Sequence, residues 1–262
     1  MTIVVEDLCA GYGDRTVLEG IGAAARPGTT TAIIGPNASG KSTLLRCILG
    51  SLRPRSGRVL IKGEVAHRMP ARTLATRVAW VSQRPQVSAA FSVREVVSLG
   101  RFALSPAPGR VEQAMEQLDL GEIADRPWQE LSIGQQQRVA LARARAQLSP
   151  QGCLLLDEPT AAMDLGHARD ALTLLRSVAS DGASVIFATH DLEIAAGVAD
   201  RVWVLDAGRL TGNGPVDEAM SPDRLAPVFG VPFEWIEDRN GHRHLVSAVA
   251  LPVPDRVNMT IR

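Results

Sequence analysis

The stretch Gly35-Pro36-Asn37-Ala38-Ser39-Gly40-Lys41-Ser42 decides the fold. Before it lies Thr30 to Ile34, an apolar run of buried-strand length. After it, Lys41 to Leu49 reads as a helix closed by Gly50. Gly-x-x-x-x-Gly-Lys-Ser between a strand and a helix is a phosphate-binding loop in the context that confirms it. Gly35 and Gly40 let the backbone curl so that successive N–H groups point at phosphate oxygens. The helix start adds its positive end, worth roughly half a unit charge. Lys41 is expected to reach the β- and γ-phosphates, and Ser42 to offer its hydroxyl to Mg²⁺. Pro36 stiffens the loop, and Asn37, Ala38, Ser39 and Thr43 complete the expected nucleotide contacts. Of 28 basic residues 26 are Arg, so the position of one of only two lysines, Lys41, is informative.

Downstream, Cys153-Leu154-Leu155-Leu156-Asp157-Glu158 is an apolar strand ending in two acids. Ligands of open α/β sheets sit beyond the carboxyl ends of strands. Asp157 is therefore placed to hold Mg²⁺ through Ser42 or water, and Glu158 to orient and polarise the attacking water as general base. Gln83 ends the run Ala79 to Ser82 and could reach metal or water. His190 ends Ile186 to Thr189 and could bond the γ-phosphate. Both end strands of the sheet that presents Asp157.

The remaining pattern sets the organisation. Ile3 to Glu6 and Thr16 to Ala24 read as short strands around Gly11-Tyr12-Gly13-Asp14. Arg58 to Ile61, Val78 to Ser82, Ser184 to Ala188 and Val202 to Leu205 are further strands. From Ser92 to Gln147 the periodicity turns helical (Val93, Val96, Val97; Val111, Met115, Leu118). Gly166 to Ala179 and Leu192 to Val198 alternate with strands as in a parallel α/β sheet. From Pro215 the chain is less regular, with a hairpin expected about Asn240-Gly241 and a loose tail beyond Ala250. His242 and His244 read as exposed hairpin residues, not metal ligands.

Composition narrows the classes. Acidic and basic residues balance at 28 each, so no bulk attraction for nucleic acid or anionic lipid exists. With 45% apolar and 21% charged residues the chain is globular. No apolar run approaches the ~18 residues of a membrane span, and MTIVVED does not resemble a signal peptide. The chain reads as soluble and intracellular. Cys9, Cys47 and Cys153 read as small buried hydrophobes.

A phosphate loop alone admits kinases, GTPases and many motors. Leu131-Ser132-Ile133-Gly134-Gln135-Gln136-Gln137-Arg138, about 25 residues before the acidic strand end, resembles the LSGGQ signature of ABC-type ATPases. Other motifs match that family in order over residues 1 to about 215. Tyr12 looks like its adenine-stacking aromatic, Gln83 like its Q-loop glutamine, Ala161-Ala162-Met163-Asp164 like its D-loop and His190 like its switch histidine. The resemblance implies an α/β fold: a P-loop NTPase core with a mostly parallel sheet, an N-terminal antiparallel β subdomain and a helical insert. It implies one ATPase domain over 1–250, with a helical subdomain at about 90–147, a C-terminal extension at about 215–250 and a tail at 251–262. It further implies ATP and Mg²⁺ as ligands, and a head-to-tail homodimer. In that dimer Ser132, Gly134, Gln135 and Asp164 of one subunit meet nucleotide held by the other. Ile133 stands where the family has glycine, so an αR or β backbone is expected there, its side chain turned from the phosphate. Ala38 also replaces a usual glycine, and Met163 a usual leucine.

The resemblance is closest to ATPases of importers for iron–siderophore, haem or cobalamin chelates. It rests there on Phe91 to Arg101, the GPNASGKS form, and Val228-Phe229-Gly230-Val231-Pro232 with its hairpin. It implies a transmembrane permease dimer as partner, docked between Gln83 and Gly109 against Ala89, Ala90, Phe91 and Leu99, with a substrate-binding protein acting indirectly. The chain would lie on the cytoplasmic face of the inner membrane, touching it only through the permease, without nucleic acid. No residue names the cargo or separates import from export. Non-transport ABC ATPases carry tandem fusions or long coiled-coil insertions, which this chain lacks. A nucleotide-holding module without turnover would need neither Glu158 nor His190.

Overall fold

A computed structural model describes residues 3–239, 241 and 243–247. In chain order the elements are β1 (Ile3–Tyr12), β2 (Arg15–Ala25), β3 (Thr30–Ile34), α1 (Lys41–Ile48), β4 (Ser56–Ile61), β5 (Glu64–Val65), α2 (Ala71–Ala75) and β6 (Val78–Val81). Then follow α3 (Val93–Ser98), α4 (Pro108–Glu116), α5 (Ile133–Gln147), β7 (Cys153–Asp157), α6 (Leu165–Ser180), β8 (Ser184–Ala188), α7 (Leu192–Val198), β9 (Arg201–Asp206) and β10 (Arg209–Pro215). The chain continues with α8 (Val216–Ala219), α9 (Pro222–Phe229), β11 (Phe233–Glu237) and β12 (Arg243–Ser247).

The central sheet runs β10-β9-β3-β8-β7-β6. All its neighbours pair in parallel except β10, which returns antiparallel to β9. The strands are apolar throughout because both faces are covered. Ala32, Ile34, Leu154, Leu156, Val185 and Phe187 pack toward α3 to α7. Ile33, Leu155, Ile186, Trp203 and Leu205 pack toward α1 and a second, antiparallel sheet of order β2-β1-β4-β5. The expected α/β core, antiparallel layer and helical insert are all present.

The N-terminal strands are longer than expected. β1 and β2 form one hairpin reaching Tyr12↔Arg15, with register shifts between Val5 and Leu8 and again near Ala10. Each shift breaks the alternation of side chains, so the sequence shows only fragments of period two. Tyr12 is consequently a strand residue rather than a turn residue. Beyond β10, α8 and α9 fill the stretch read as irregular. Cys47 and Cys153 are buried, but Cys9 is only half-buried, its sulfur accepting from the Gly20 N–H at 3.3 Å. The β11–β12 hairpin forms as expected; Asn240, His242 and the tail beyond 250 lie outside the described residues. His244 is half-buried, its Nε2 3.6 Å from Asp238.

Candidate functional site

β3 ends mid-sheet, between β8 and β9, and releases the chain into the loop Gly35–Gly40. At Gly35 (φ 151°) a Cβ would stand 2.1 Å from the Leu205 carbonyl oxygen, so only glycine lets the loop start there. Gly40 has φ 109°, and a Cβ would meet Leu18 Cδ2 at 2.6 Å. Ala38, the milder-looking departure, is itself left-handed at φ 64°, a conformation that costs an L residue about 1 kcal/mol. Pro36 is half-buried, while Asn37 and Ala38 are exposed.

This loop gathers unsatisfied donors. Gly40 caps α1 without any side-chain acceptor, leaving the first-turn amides free. The Ser39 hydroxyl is buried without a partner. Lys41, 8% exposed, donates from Nζ to the carbonyls of Gly35 (2.8 Å) and Pro36 (3.1 Å). Burial holds its pKa below the usual amine value, against the opposing pull of Glu158 and Asp157. Thr43 is buried beneath. Ser42 is exposed beside Asp157, whose pKa is raised chiefly by burial, with Ser42 acting to lower it. An orphaned hydroxyl, free amides and a desolvated ammonium fit a polyphosphate. The hard oxygens of Asp157 and Ser42 fit Mg²⁺, which takes one or two protein carboxylates and completes its shell with phosphate oxygens and water. No cluster of three or more His, Cys, Asp or Glu capable of holding a metal occurs among the described residues.

Glu158 is left-handed at φ 52°. Its N–H donates to Ala188 O (3.0 Å), its carbonyl accepts from Gln137 Nε2 (2.7 Å), and its Oε2 accepts from His190 Nδ1 (2.8 Å). The Glu158 side chain is 12% exposed and that of His190 65%. Gln83 is exposed beyond β6 and makes no side-chain hydrogen bond among the described residues. Tyr12 is 44% exposed; its Oη accepts from Arg46 at 2.9 Å, and the guanidinium lies 5.9 Å from the ring centroid.

The other expected contacts form a separate cleft, lined by Ser132 to Gln135, Arg138, Ala162 to Asp164 and His167. Ser132 caps α5: its Oγ accepts from Gln135 N (3.2 Å) and its own N–H donates to Gln135 Oε1 (3.0 Å), a capping box. Ile133 is helical, as expected, and 65% exposed. Gly134 is required by packing, since a Cβ would approach Ala162 O to 2.7 Å. Asp164 caps α6, accepting from His167 N (3.0 Å) and Nδ1 (2.7 Å); these bonds hold its carboxyl below the usual range.

The structure thus brings the loop, Asp157, Glu158 and His190 together, with Tyr12 and Gln83 at the margins. Ser132, Gly134, Gln135 and Asp164 gather elsewhere. Sequence reasoning missed Gln137 and Arg46. For Gln137 a signal existed: it stands three residues after Gly134, on the same helix face. Arg46 looks like any surface arginine.

A glycine-cradled loop at the carboxyl edge of a parallel sheet, facing paired acids, defines a phosphate-loop nucleotide-hydrolysing protein. The ABC transporter family model matches residues 18–161, more than half the chain. A hemin import ATP-binding protein of Rhodococcus jostii is 36% identical, over 98% of this chain and 87% of that protein. An iron(3+)-hydroxamate import ATP-binding protein of Bacillus subtilis is 35% identical over 90% and 91%. Among solved structures, one described as an inward-facing metal-chelate type ABC transporter is 27% identical with a TM-score of 0.78, covering 94% of this chain and 97% of its own. A bacterial ABC transporter cassette solved as a dimer is 26% identical with a TM-score of 0.73, over 82% and 98%. The chain belongs to the ABC transporter family, as one of its ATP-binding ATPases. Among the described residues no helix is long and apolar enough to cross a membrane.

Proposed function

We propose that this chain is the ATPase subunit that powers import of a metal chelate of the iron–siderophore, haem or cobalamin type. The names of its relatives and the chelate-type structural neighbour support the cargo class. Residues 1–250 act as one ATPase domain, with a helical subdomain at about 90–147 and a C-terminal extension at about 215–250. The observation that carries the mechanism is the splitting of the site into two half-sites. One has a phosphate loop, Asp157 and Glu158; the other has the start of α5 with Ser132, Gly134 and Gln135, and Asp164 beside them.

In this reading the free amides of Gly40 to Thr43 bind the β- and γ-phosphates, and Lys41 exchanges its two carbonyl partners for phosphate oxygens. Tyr12 stacks on adenine. Asp157 and Ser42, with Gln83, would hold Mg²⁺, which would supply neutralisation of phosphate charge. Glu158 takes the proton of a water as its oxygen attacks the γ-phosphorus and the bond to the ADP oxygen breaks. His190 fixes the Glu158 carboxylate through its 2.8 Å contact and bonds the terminal phosphate. Ser132, Gly134 and Gln135 of a second copy, with Asp164 beside them, close over that phosphate at the positive end of α5. Loss of the γ-phosphate removes this bridge and the pair opens.

A permease dimer, served by a substrate-binding protein, receives this motion, so the chain sits on the cytoplasmic face of the membrane. Its docking groove runs beside Leu99 and Phe102, which are 40% and 86% exposed, and past exposed Ala89 and Ala90. Val93 and Val97 are fully buried and belong to the core. The deciding experiment is Glu158→Gln. Turnover should fall by roughly 10²–10⁴, while ATP affinity holds and an ATP-bound dimer accumulates. Undiminished turnover would remove Glu158 as the base.

A further inference from the structure

We propose that Gln137 is a positioning residue for Glu158, locking the first turns of α5 to the backbone of the hydrolytic carboxylate. The proposal rests on the reading of Glu158 as the base. Gln137 is 1% exposed, and its Nε2 donates to the Glu158 carbonyl at 2.7 Å. Its Oε1 is buried with no partner. A buried amide oxygen left unpaired destabilises a fold, and an apolar side chain of similar volume would pack there without that penalty. Stability therefore does not explain a glutamine at this position; the donated hydrogen bond does.

The acceptor is an unusual one. A left-handed glutamate persists only where its surroundings over-determine it. Glu158 is held by Ala188 of β8 through its N–H and by His190, just beyond that strand, through its carboxylate. The first anchor lies in the central sheet and the second two residues past the end of β8, while the Glu158 carbonyl also accepts from the nearby Ala161 N–H at 3.4 Å. Gln137 is the one hydrogen bond that reaches Glu158 from α5.

One turn earlier on the same helix, Gly134 lies so close to Ala162 O that no Cβ would fit. The start of α5 thus grips the segment 158–162 at both ends. α5 is also tied to the rest of the helical insert, where Arg138 donates to Leu118 O at 3.3 Å. A displacement of the insert, or of Ser132 as it engages a partner's nucleotide, is delivered through Gln137 to the peptide that aims Glu158. Each chain so links the half-site it lends to its partner with the base it keeps for itself.

The test compares Gln137→Leu and Gln137→Met with wild type and Glu158→Gln in the full chain, by MgATP turnover, ATP-driven dimerisation and thermal melting. The expected result is a kcat lowered roughly tenfold to a hundredfold, with KM for ATP within about twofold, dimerisation retained and melting unchanged or raised. Unchanged kcat beside an inactive Glu158→Gln chain overturns this inference alone. So does a loss of kcat matched by raised KM and lost dimerisation, or collapse of the fold in both variants, since each marks a structural role. Normal turnover of Glu158→Gln overturns the underlying assignment, and this inference with it.

Discussion

Lys41 and Asp157 are buried at a cost that their neighbours in the chain offset only in part. Desolvation lowers the pKa of one and raises that of the other, so each resists its working charge while the site holds no nucleotide. For Asp157 the folded chain keeps its proton to higher pH than the unfolded chain. Stability contributed by the neutral form is present at low pH and declines as pH rises from about the ordinary carboxylate value through the raised one. Above that window the penalty is constant. Asp157→Asn should therefore melt higher than wild type at pH 7 without nucleotide, by roughly 2–4 °C for about 1 kcal/mol relieved. The gain should shrink toward pH 4, and Mg²⁺-dependent ATP binding should weaken. Calorimetry at the two pH values checks this; a lower melting temperature at pH 7 would mean that the carboxylate stabilises the empty fold. Motif spacing made Lys41, Asp157 and Glu158 legible, since phosphate chemistry restricts which residues can stand there. The left-handed backbones of Ala38 and Glu158 were not legible, because neither residue type announces positive φ. Gln137, the third of three glutamines, was marked only by sharing a helix face with Gly134 three residues earlier; its bond to Glu158 is a tertiary contact that no local pattern shows.

At the scale of elements, α5 begins with a serine that serves two purposes. Its hydroxyl caps the helix and is also the group proposed to meet a partner's phosphate. Two substitutions separate these purposes. Ser132→Ala removes the cap and should cost about 1 kcal/mol, or roughly 2–4 °C. Ser132→Asp keeps an equally good cap, and its charge suits the helix start, so melting should hold. Both should lose at least about tenfold in turnover, and the aspartate more, because it sets like charge against phosphate. A Ser132→Asp chain with full turnover would exclude the serine from the composite site. The strand ends carrying Asp157 and His190 were readable as apolar runs of the right length. The N-terminal hairpin was not, because its register shifts erase the alternation that marks a strand. α9 has Pro222 at its start and Gly230 after its end, both helix punctuation, but Pro227 inside it masks the period.

The whole molecule presents one phosphate loop and one signature cleft, in separate places, and a head-to-tail pair would complete each with the other's. That geometry has a consequence for mixtures of inactive chains. A Glu158→Gln chain keeps an intact Ser132, and a Ser132→Asp chain keeps an intact Glu158. In their mixed dimer one composite site carries both lesions and the other carries neither. Combining two nearly inactive preparations should thus restore activity, to about a quarter of wild type at equal amounts if partners exchange freely. That share follows because half the dimers are mixed and each holds one sound site. A side-by-side dimer whose sites draw Ser132 and Glu158 from the same chain makes the opposite forecast, since every site would then carry one lesion. ATP turnover measured across mixing ratios, with differently tagged chains to count mixed dimers, separates the two. Mixed dimers that form in quantity and stay inactive would refute head-to-tail pairing, and with it the role of Ser132 across the interface.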